Sequence, residues 1–472
     1  MKFKNKYFFS LLIVSLFAMA CNKWLDVKPQ TEVSEAVLFE NEQGFKDAMV
    51  GVYTQLGSRT LYGKEFTMGF IDVLAQNYSI YLNDHNYYQA VTYNYLDAGI
   101  RDKINSFWKD SYKSIANINN LLRQIDQKKN VFAGNNYQII KGEALALRAF
   151  LHFDLLRTFG PVPVGNPEGI AIPYVREFDM NVKPKLTLRQ VTDECLIDLN
   201  EASKLLGSDK KVYTAVADIY RSFTNNHMNY WATTGLMARI YLYRGEELMA
   251  YQKAKEVIDA KMFPFVTSAE ISSSTYPNRT FSREHLFGLY VANLQNINAE
   301  LFKASADKSI LTNSTYFINS RFEITSGGST DYRYVFLWKT DGPSAAKYPV
   351  KYWSDDIQAT SLSTNIKRVP LIRLSEMYYI CAETSTDNKE KIDFLNEVRR
   401  NRGLAALSKT LNPEAIENEI FKEYKKEFYQ EGQLFFYCKR KNKIQIDEYG
   451  PEVDDKVYVL PLPDDESEFT IQ

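Results

Sequence analysis

Flat aromatic rings are interleaved with planar hydrogen-bonding side chains in two stretches of the sequence. The first is Asn77-Tyr78-Ser-Ile-Tyr81-Leu-Asn83-Asp84-His85-Asn86-Tyr87-Tyr88. The second opens with Asp331-Tyr332-Arg333-Tyr334, reaches Trp338, and continues through Tyr348, Tyr352 and Trp353-Ser-Asp355-Asp356. A sugar presents one apolar C–H face and a rim of hydroxyls, and this mixture of rings, amides and carboxylates suits both. Tyr78, Tyr81, Asn83, Asp84, Tyr87, Tyr334, Trp338, Tyr352 and Trp353 are therefore candidate ligand contacts. The competing reading is that each ring packs beneath its own loop. Trp108 and Trp231, at helical positions, are expected in the core.

Catalytic chemistry finds no comparable constellation. His85, His152, His227 and His285 are scattered and form no metal-ligand spacing, so neither metal nor cofactor is expected. His152 falls inside a predicted helix, where a structural role is expected. A glycosidase needs two carboxylates flanking the scissile bond. Glu427 and Glu431 share a helix face, but with Arg373, Glu376, Arg399 and Arg402 they read as an ion network between packed helices. No nucleophile elbow, Walker loop or dinucleotide fingerprint occurs. Asp84-His85-Asn86 lacks the spacing and glycine of an EF-hand.

Helices must supply the frame for these loops. Leu188, Val191, Cys195, Leu199, Ala202 and Leu206 form an apolar stripe, opened by a capping box at Thr187-Leu-Arg-Gln190. Ile140, Ala144, Leu147, Leu151 and Leu155 form another, stopped at Gly160-Pro161. Asn412-Pro413 supplies an N-cap and a proline at the first helical position, ahead of Ile416, Ile420, Tyr424 and Phe428. Periodicity predicts further helices at about 42–57, 104–127, 229–245, 247–260, 371–386 and 389–401. Trp231 to Gly245 followed by Tyr251 to Ile258, with the small Gly235 and Ala238, matches a tetratricopeptide helix pair. Between Gly160 and Pro184 lie five of the fifteen prolines, which predicts an extended connection. From Pro264 to Arg368 the helical signal gives way to Ser, Thr, Asn, Tyr and Gly, so short strands in a subdomain are expected.

The amino-terminal end reads as an address. Lys2, Lys4 and Lys6 precede the apolar run Tyr7–Phe17, eleven residues long, and Ala18-Met19-Ala20-Cys21 follows. This is the layout of a secretory signal, too short to span a bilayer, which takes about 20 apolar residues. A small residue before Cys21 resembles a bacterial lipobox, making Cys21 the expected acylated terminus. Ala18-Met19-Ala20 also fits ordinary signal cleavage, and intact mass separates the two. Cys195, Cys381 and Cys438 share no C-x-x-C spacing and indicate no disulfide framework. Lys and Arg total 57 against 58 Asp and Glu, so no global basic field for nucleic acid exists. Tyr 32, Phe 29 and Trp 5 make 14% of the chain, an excess that needs either a large core or an aromatic surface.

Blocks along most of the chain resemble, in order, the SusD/RagB family of surface lipoproteins of Bacteroidetes. They begin with Cys21-Asn-Lys-Trp24-Leu-Asp26 and Phe45-Lys-Asp-Ala-Met-Val-Gly51-Val-Tyr53. Trp108-x3-Tyr112-x2-Ile115-x-Asn117, Glu143-Ala-Leu-Ala-Leu-Arg148-Ala149 and Phe159-Gly-Pro-Val-Pro163 follow. The carboxy-terminal blocks are Pro370-Leu-Ile-Arg373-Leu-Ser-Glu376, Leu395-Asn396-x-Val-Arg399-x2-Arg402-Gly403, Glu423-x3-Glu427-Phe-x2-Glu431-Gly432 and Leu460-Pro-Leu-Pro463. Two departures mark a divergent member: Gln433-Leu-Phe-Phe-Tyr-Cys-Lys-Arg440 replaces the usual Arg-Trp-Phe-Asp-Leu-Lys-Arg, and the usual Asn-Pro tail is not seen.

The resemblance implies a mainly α fold: tetratricopeptide-like helix pairs forming a frame, with an irregular, loop-rich subdomain containing short strands. The expected division is a signal peptide at 1–20, then one unit over 21–472. Its frame is expected at about 40–263 and 369–445, and its loop-rich part at about 264–368. The resemblance further implies a non-enzymatic oligosaccharide-binding protein on the outer membrane, held by lipid on Cys21. Such a protein serves polysaccharide utilisation by capping a SusC-type TonB-dependent transporter. It places ligand on the loop-rich face and the transporter on the helix-pair face. An oligopeptide ligand, as in the RagB branch, is the first alternative, and a secreted hydrolase the second.

Overall fold

The computed structural model describes residues 35–303, 309–340, 347–353, 364–447 and 450–468. Local capping chemistry starts several of the frame helices. Asn41 caps α1 (Glu42–Leu56) through Gly44 N. Asp97 accepts from Gly99 N and Ile100 N to open α2 (Ala98–Ile125), which begins before the expected residue 104 because of that cap. Next come α3 (Asn136–Phe159), α4 (Leu188–Leu206), α5 (Tyr230–Tyr243) and α6 (Glu247–Ala260). The capping box of Thr187 and Gln190 is present at α4, and its predicted stripe is buried.

The loop-rich part holds β1 (His285–Tyr290), α7 (Leu294–Phe302), α8 (Thr315–Arg321), β2 (Trp338–Thr340) and β3 (Lys347–Pro349). The chain then enters β4 (Arg368–Arg373), α9 (Leu374–Thr384), α10 (Asn388–Arg400), α11 (Pro413–Glu427) and α12 (Gln433–Arg440). Helix was expected from about 371. The structure instead makes 368–373 a strand, every residue of it buried, and α9 begins only at Leu374. Strands β1 and β4 pair antiparallel, with Tyr290 opposite Arg368 and His285 opposite Arg373. Strands β2 and β3 form a separate short hairpin.

Helix packing runs as a series, α1 on α2, α2 on α3, α3 on α4, α4 on α5 and α5 on α6, then α6 on α9 and α9 on α10. The structure therefore has the helix-pair frame expected from the sequence. Helix α3 is not simply amphipathic: nearly all of it is buried, its charged Glu143, Arg148, Asp154 and Arg157 included. Polar groups so placed need partners. Arg148 grips Asp198 of α4 with Nε and Nη2 at 2.7 and 2.8 Å. His152 donates from Nδ1 to Arg148 O and accepts from Val175 N, in the structural role expected of it. Burial pushes its imidazole down to about 3. The small residue at the α5 crossing also has a different neighbour from a plain helix pair. A Cβ on Gly235 would meet Leu286 Cδ2 at 2.9 Å and Ile372 Cγ2 at 3.1 Å, because the β1–β4 pair lies on α5.

An ion network ties the loop-rich part to the frame. Glu427 accepts from Arg333 Nη1 (2.8 Å), Arg373 Nη1 (2.6 Å) and Arg402 Nη2 (2.6 Å). Around it, Glu284 binds Arg402, Asp331 and Glu423 bind Arg333, and Glu431 binds Arg373 and Lys351. Burial alone would raise the Glu427 carboxyl, but the three guanidiniums hold it well below the usual range. The network expected from Arg373, Arg402, Glu427 and Glu431 is present, with Arg399 at its edge on Glu423. Glu376 is not part of it and pairs with Arg239. Both Glu427 and Glu431 are thus spent on cations.

Candidate functional site

The two aromatic stretches meet at Tyr429. Its ring centroid lies 5.5 Å from that of Tyr78 and 4.9 Å from that of Trp338. Asn313 fastens the meeting point, donating from Nδ2 to Tyr429 OH at 2.8 Å and to Asn77 O at 3.0 Å. Beyond Tyr78 the chain runs beside residues 309–312. Ser79 N donates to Thr312 O, His85 Nε2 to Ile310 O, and Asn86 Nδ2 to Ser309 Oγ. These bonds clamp both legs of the loop and leave its tip, Tyr81-Leu82-Asn83-Asp84, in solvent. Tyr81 is 81% exposed and Leu82 69%.

This geometry divides the nine sequence-derived candidates. Tyr81, Asn83 and Asp84 are exposed together at the tip. Tyr334 is half-buried; it donates to Asn319 Oδ1 and accepts from Lys347 Nζ, both at 3.0 Å. The other five rings were expected to face ligand, and the structure packs them inside. Tyr78 donates to Met68 O, Tyr87 to Glu65 and Tyr352 to Gln430 O. Trp338 is 8% exposed against Tyr429, and Trp353 is 6% exposed beneath Lys303 Nζ, 4.1 Å from its ring. Burying a ring of that size gains more than a solvent-facing ring could, so loops rich in aromatics build their own small core. Burial raises the hydroxyls of Tyr78, Tyr87 and Tyr352, and each stays a neutral donor.

Sequence reading passed over Tyr316, which is 67% exposed on α8, just beyond Asn313. The signal was available: Asn313-Ser-Thr-Tyr316-Phe-Ile-Asn319 has the same ring-and-amide composition as the two stretches singled out. Cys21, Trp24, Asp355 and Asp356 lie outside the described residues. Trp108 and Trp231 are buried, as expected. Cys195, Cys381 and Cys438 are free and buried. Among the described residues no cluster of His, Cys, Asp and Glu could hold a metal, and no helix is long and apolar enough to cross a membrane.

A concave feature lies on the frame, a cleft of about 520 Å³ between α2 and the proline-rich connection. Trp108, Tyr112, Phe178 and Met180 give it an apolar wall, and Arg123, Asp179 and Lys183 a charged one.

Comparison with known proteins follows the same outline. Residues 209–460 match the model of the SusD family, and residues 23–242 match a related model described as starch-binding associating with outer membrane. Among curated relatives, SusD-like protein P38 of Formosa agariphila is 26% identical over 217 residues, 45% of this chain and 40% of the relative. SusD-like protein P25 of the same organism is 20% identical over 298 residues, 61% of this chain and 52% of the relative. This chain therefore spans about half the length of those relatives. A SusD superfamily protein of Bacteroides thetaiotaomicron superposes with a TM-score of 0.69 at 21% identity, covering 91% of this chain and 98% of that one. A SusD-like carbohydrate binding protein of Bacteroides vulgatus gives 0.68 at 18% identity, covering 91% and 96%. At such identities the likeness is one of fold.

Proposed function

Because this chain belongs to the SusD family, we propose that it captures an oligosaccharide at the cell surface and hands it to a SusC-type TonB-dependent transporter. The observation that carries this reading is the clamped loop tip, where an exposed ring, two planar polar side chains and Leu82 stand together. Tyr81 offers a stacking face, and Asn83 and Asp84 offer an amide and a carboxylate for sugar hydroxyls. Tyr316 supplies a second exposed ring from the segment that clamps the tip. Lipid on Cys21 would hold the protein at the outer membrane, and the helix-pair face would meet the transporter. No step of this reading breaks a bond in the ligand.

The test is a glycan array run beside a peptide library, using protein that lacks residues 1–21. Binding to at least one oligosaccharide class is expected. Tyr81→Ala and Tyr316→Ala should each weaken it about tenfold, the loss of one stacking contact of roughly 1.4 kcal/mol. Binding to peptides with no glycan bound would overturn the oligosaccharide reading.

A further inference from the structure

The cleft between α2 and the proline-rich connection is built differently from the exposed loop tip. Its floor is one stripe of α2, in which Trp108, Tyr112 and Ala116 recur every four residues and Arg123 follows on the same face in the last turn. At 1.5 Å per residue, the stripe from Trp108 to Arg123 is about 22 Å long. The connection contributes Val175, Phe178, Met180 and Val182. Asn119 Nδ2 holds it against α2, donating to Val175 O at 2.9 Å, and Arg123 stacks on the Phe178 ring at 4.9 Å.

Polar groups along this lining are already engaged with one another. Trp108 Nε1 donates to Glu466 at 3.1 Å, and Tyr112 OH to Pro173 O at 2.9 Å. Lys183 Nζ donates to Glu177 at 2.7 Å and to Asp179 at 2.9 Å. A sugar seated here would give up hydration of its hydroxyls for few new bonds, and a peptide would do the same with its backbone. What the lining offers is apolar: Met180 is wholly exposed, Val182 is 53% exposed and Phe178 41%. A long groove along a helix, with a soft methionine at its rim, suits an unbranched hydrocarbon chain. One leaflet of a bilayer holds about 15 Å of hydrocarbon, which the stripe can accommodate. The position of the cleft agrees. Phe39 packs on Phe45 and Phe45 on Phe132, with ring centroids 4.8 and 4.9 Å apart, and Glu42 accepts from Asn136 Nδ2 at 2.7 Å. The described chain therefore begins beside the α2–α3 connection, at the same end of α2 as Arg123. Cys21 precedes Glu35 by fourteen residues, a reach of at most about 50 Å.

We infer that this cleft seats an acyl chain, its tail on Trp108, Tyr112 and Ala116 and its acidic head toward Arg123. The cleft stands apart from the oligosaccharide reading; only its link to Cys21 rests on the lipid expected there, which intact mass reports separately. Protein lacking residues 1–21 is titrated with cis-parinaric acid, a fluorescent fatty acid, below its micellar concentration. Saturable binding, displaced by palmitate, is expected. Ala116→Trp fills the floor and should weaken it at least about tenfold. Met180→Asp, at a position too exposed to matter for folding, should weaken it about threefold to tenfold. Further arms distinguish the sources. Displacement by palmitate without uptake from phosphatidylethanolamine vesicles assigns the site to a free fatty acid, and uptake from the vesicles assigns it to membrane lipid. Binding by the shortened protein but not by the lipidated one assigns it to the chain's own anchor. No saturable binding, binding unchanged in both variants, or displacement by an oligosaccharide would overturn the inference.

Discussion

Replacing Glu427 by Gln keeps the shape of the side chain and removes the charge on which three buried guanidiniums converge. The carboxylate accepts at 2.6 to 2.8 Å from Arg333, Arg373 and Arg402, all essentially without solvent access. Breaking a buried pair by deleting one partner costs about 3–5 kcal/mol, because the surviving charge cannot rehydrate. Each arginine keeps another carboxylate, Asp331, Glu431 or Glu284. The expected loss is therefore at the lower end, about 3 kcal/mol. Glu397→Gln is the control: its partner Arg400 is more than half exposed, and the expected change is below about 1 kcal/mol. Urea unfolding at pH 7, followed by fluorescence, gives both numbers. Because the folded carboxyl lies well below its ordinary 4.5, its contribution is fully present above that value and fades only as pH falls toward the folded value. The gap between wild type and Glu427→Gln should thus hold from pH 7 to about pH 5 and narrow in stronger acid. A loss under about 1 kcal/mol at pH 7 would refute the claim that this carboxylate joins the loop-rich part to the frame.

Trp338→Ala should lower stability by about 3–5 kcal/mol, since it leaves a large cavity beside Tyr429; unchanged thermal unfolding with weakened ligand binding would show the ring to be a contact instead. His152 titrates at about 3 when folded and near 6.5 when unfolded, so the unfolded chain binds more protons between those values. Stability should fall with acidification through that window, and His152→Gln should remove about 2 kcal/mol of the loss between pH 7 and pH 5, read by urea unfolding at both. If the variant keeps the wild-type pH slope, the buried histidine is not its source.

What could be read from the sequence was mostly local. The Thr187–Gln190 box and the Asn412–Pro413 start depend on residues within one turn, and both are found in place. The ion network was half legible. Arg373, Arg402, Glu427 and Glu431 lie in recognisable blocks, whereas Glu284, Arg333 and Lys351 join from the loop-rich part and carry no local mark. The site was hardest to read. Tyr78 and Tyr81 are three residues apart and chemically identical, yet one is sealed against Tyr429 while the other is in solvent. That difference is made by Thr312 and Asn313, far along the chain. Composition locates such a neighbourhood but does not say which rings face outward.

The β1–β4 pair has a consequence for how such a protein diversifies. Tyr290 and Arg368 sit opposite one another, so the chain that leaves β1 after Tyr290 returns to β4 at a single doorway. Loop closure becomes costlier only slowly with length, by about 0.6 kcal/mol for each doubling. Insertions in the exposed loops between 291 and 367 therefore leave the paired strands, and α5 beneath them, nearly undisturbed. Exposed loops of the region can therefore lengthen while Arg333 and Lys351 stay anchored on Glu423, Glu427 and Glu431 and the helices keep one shape.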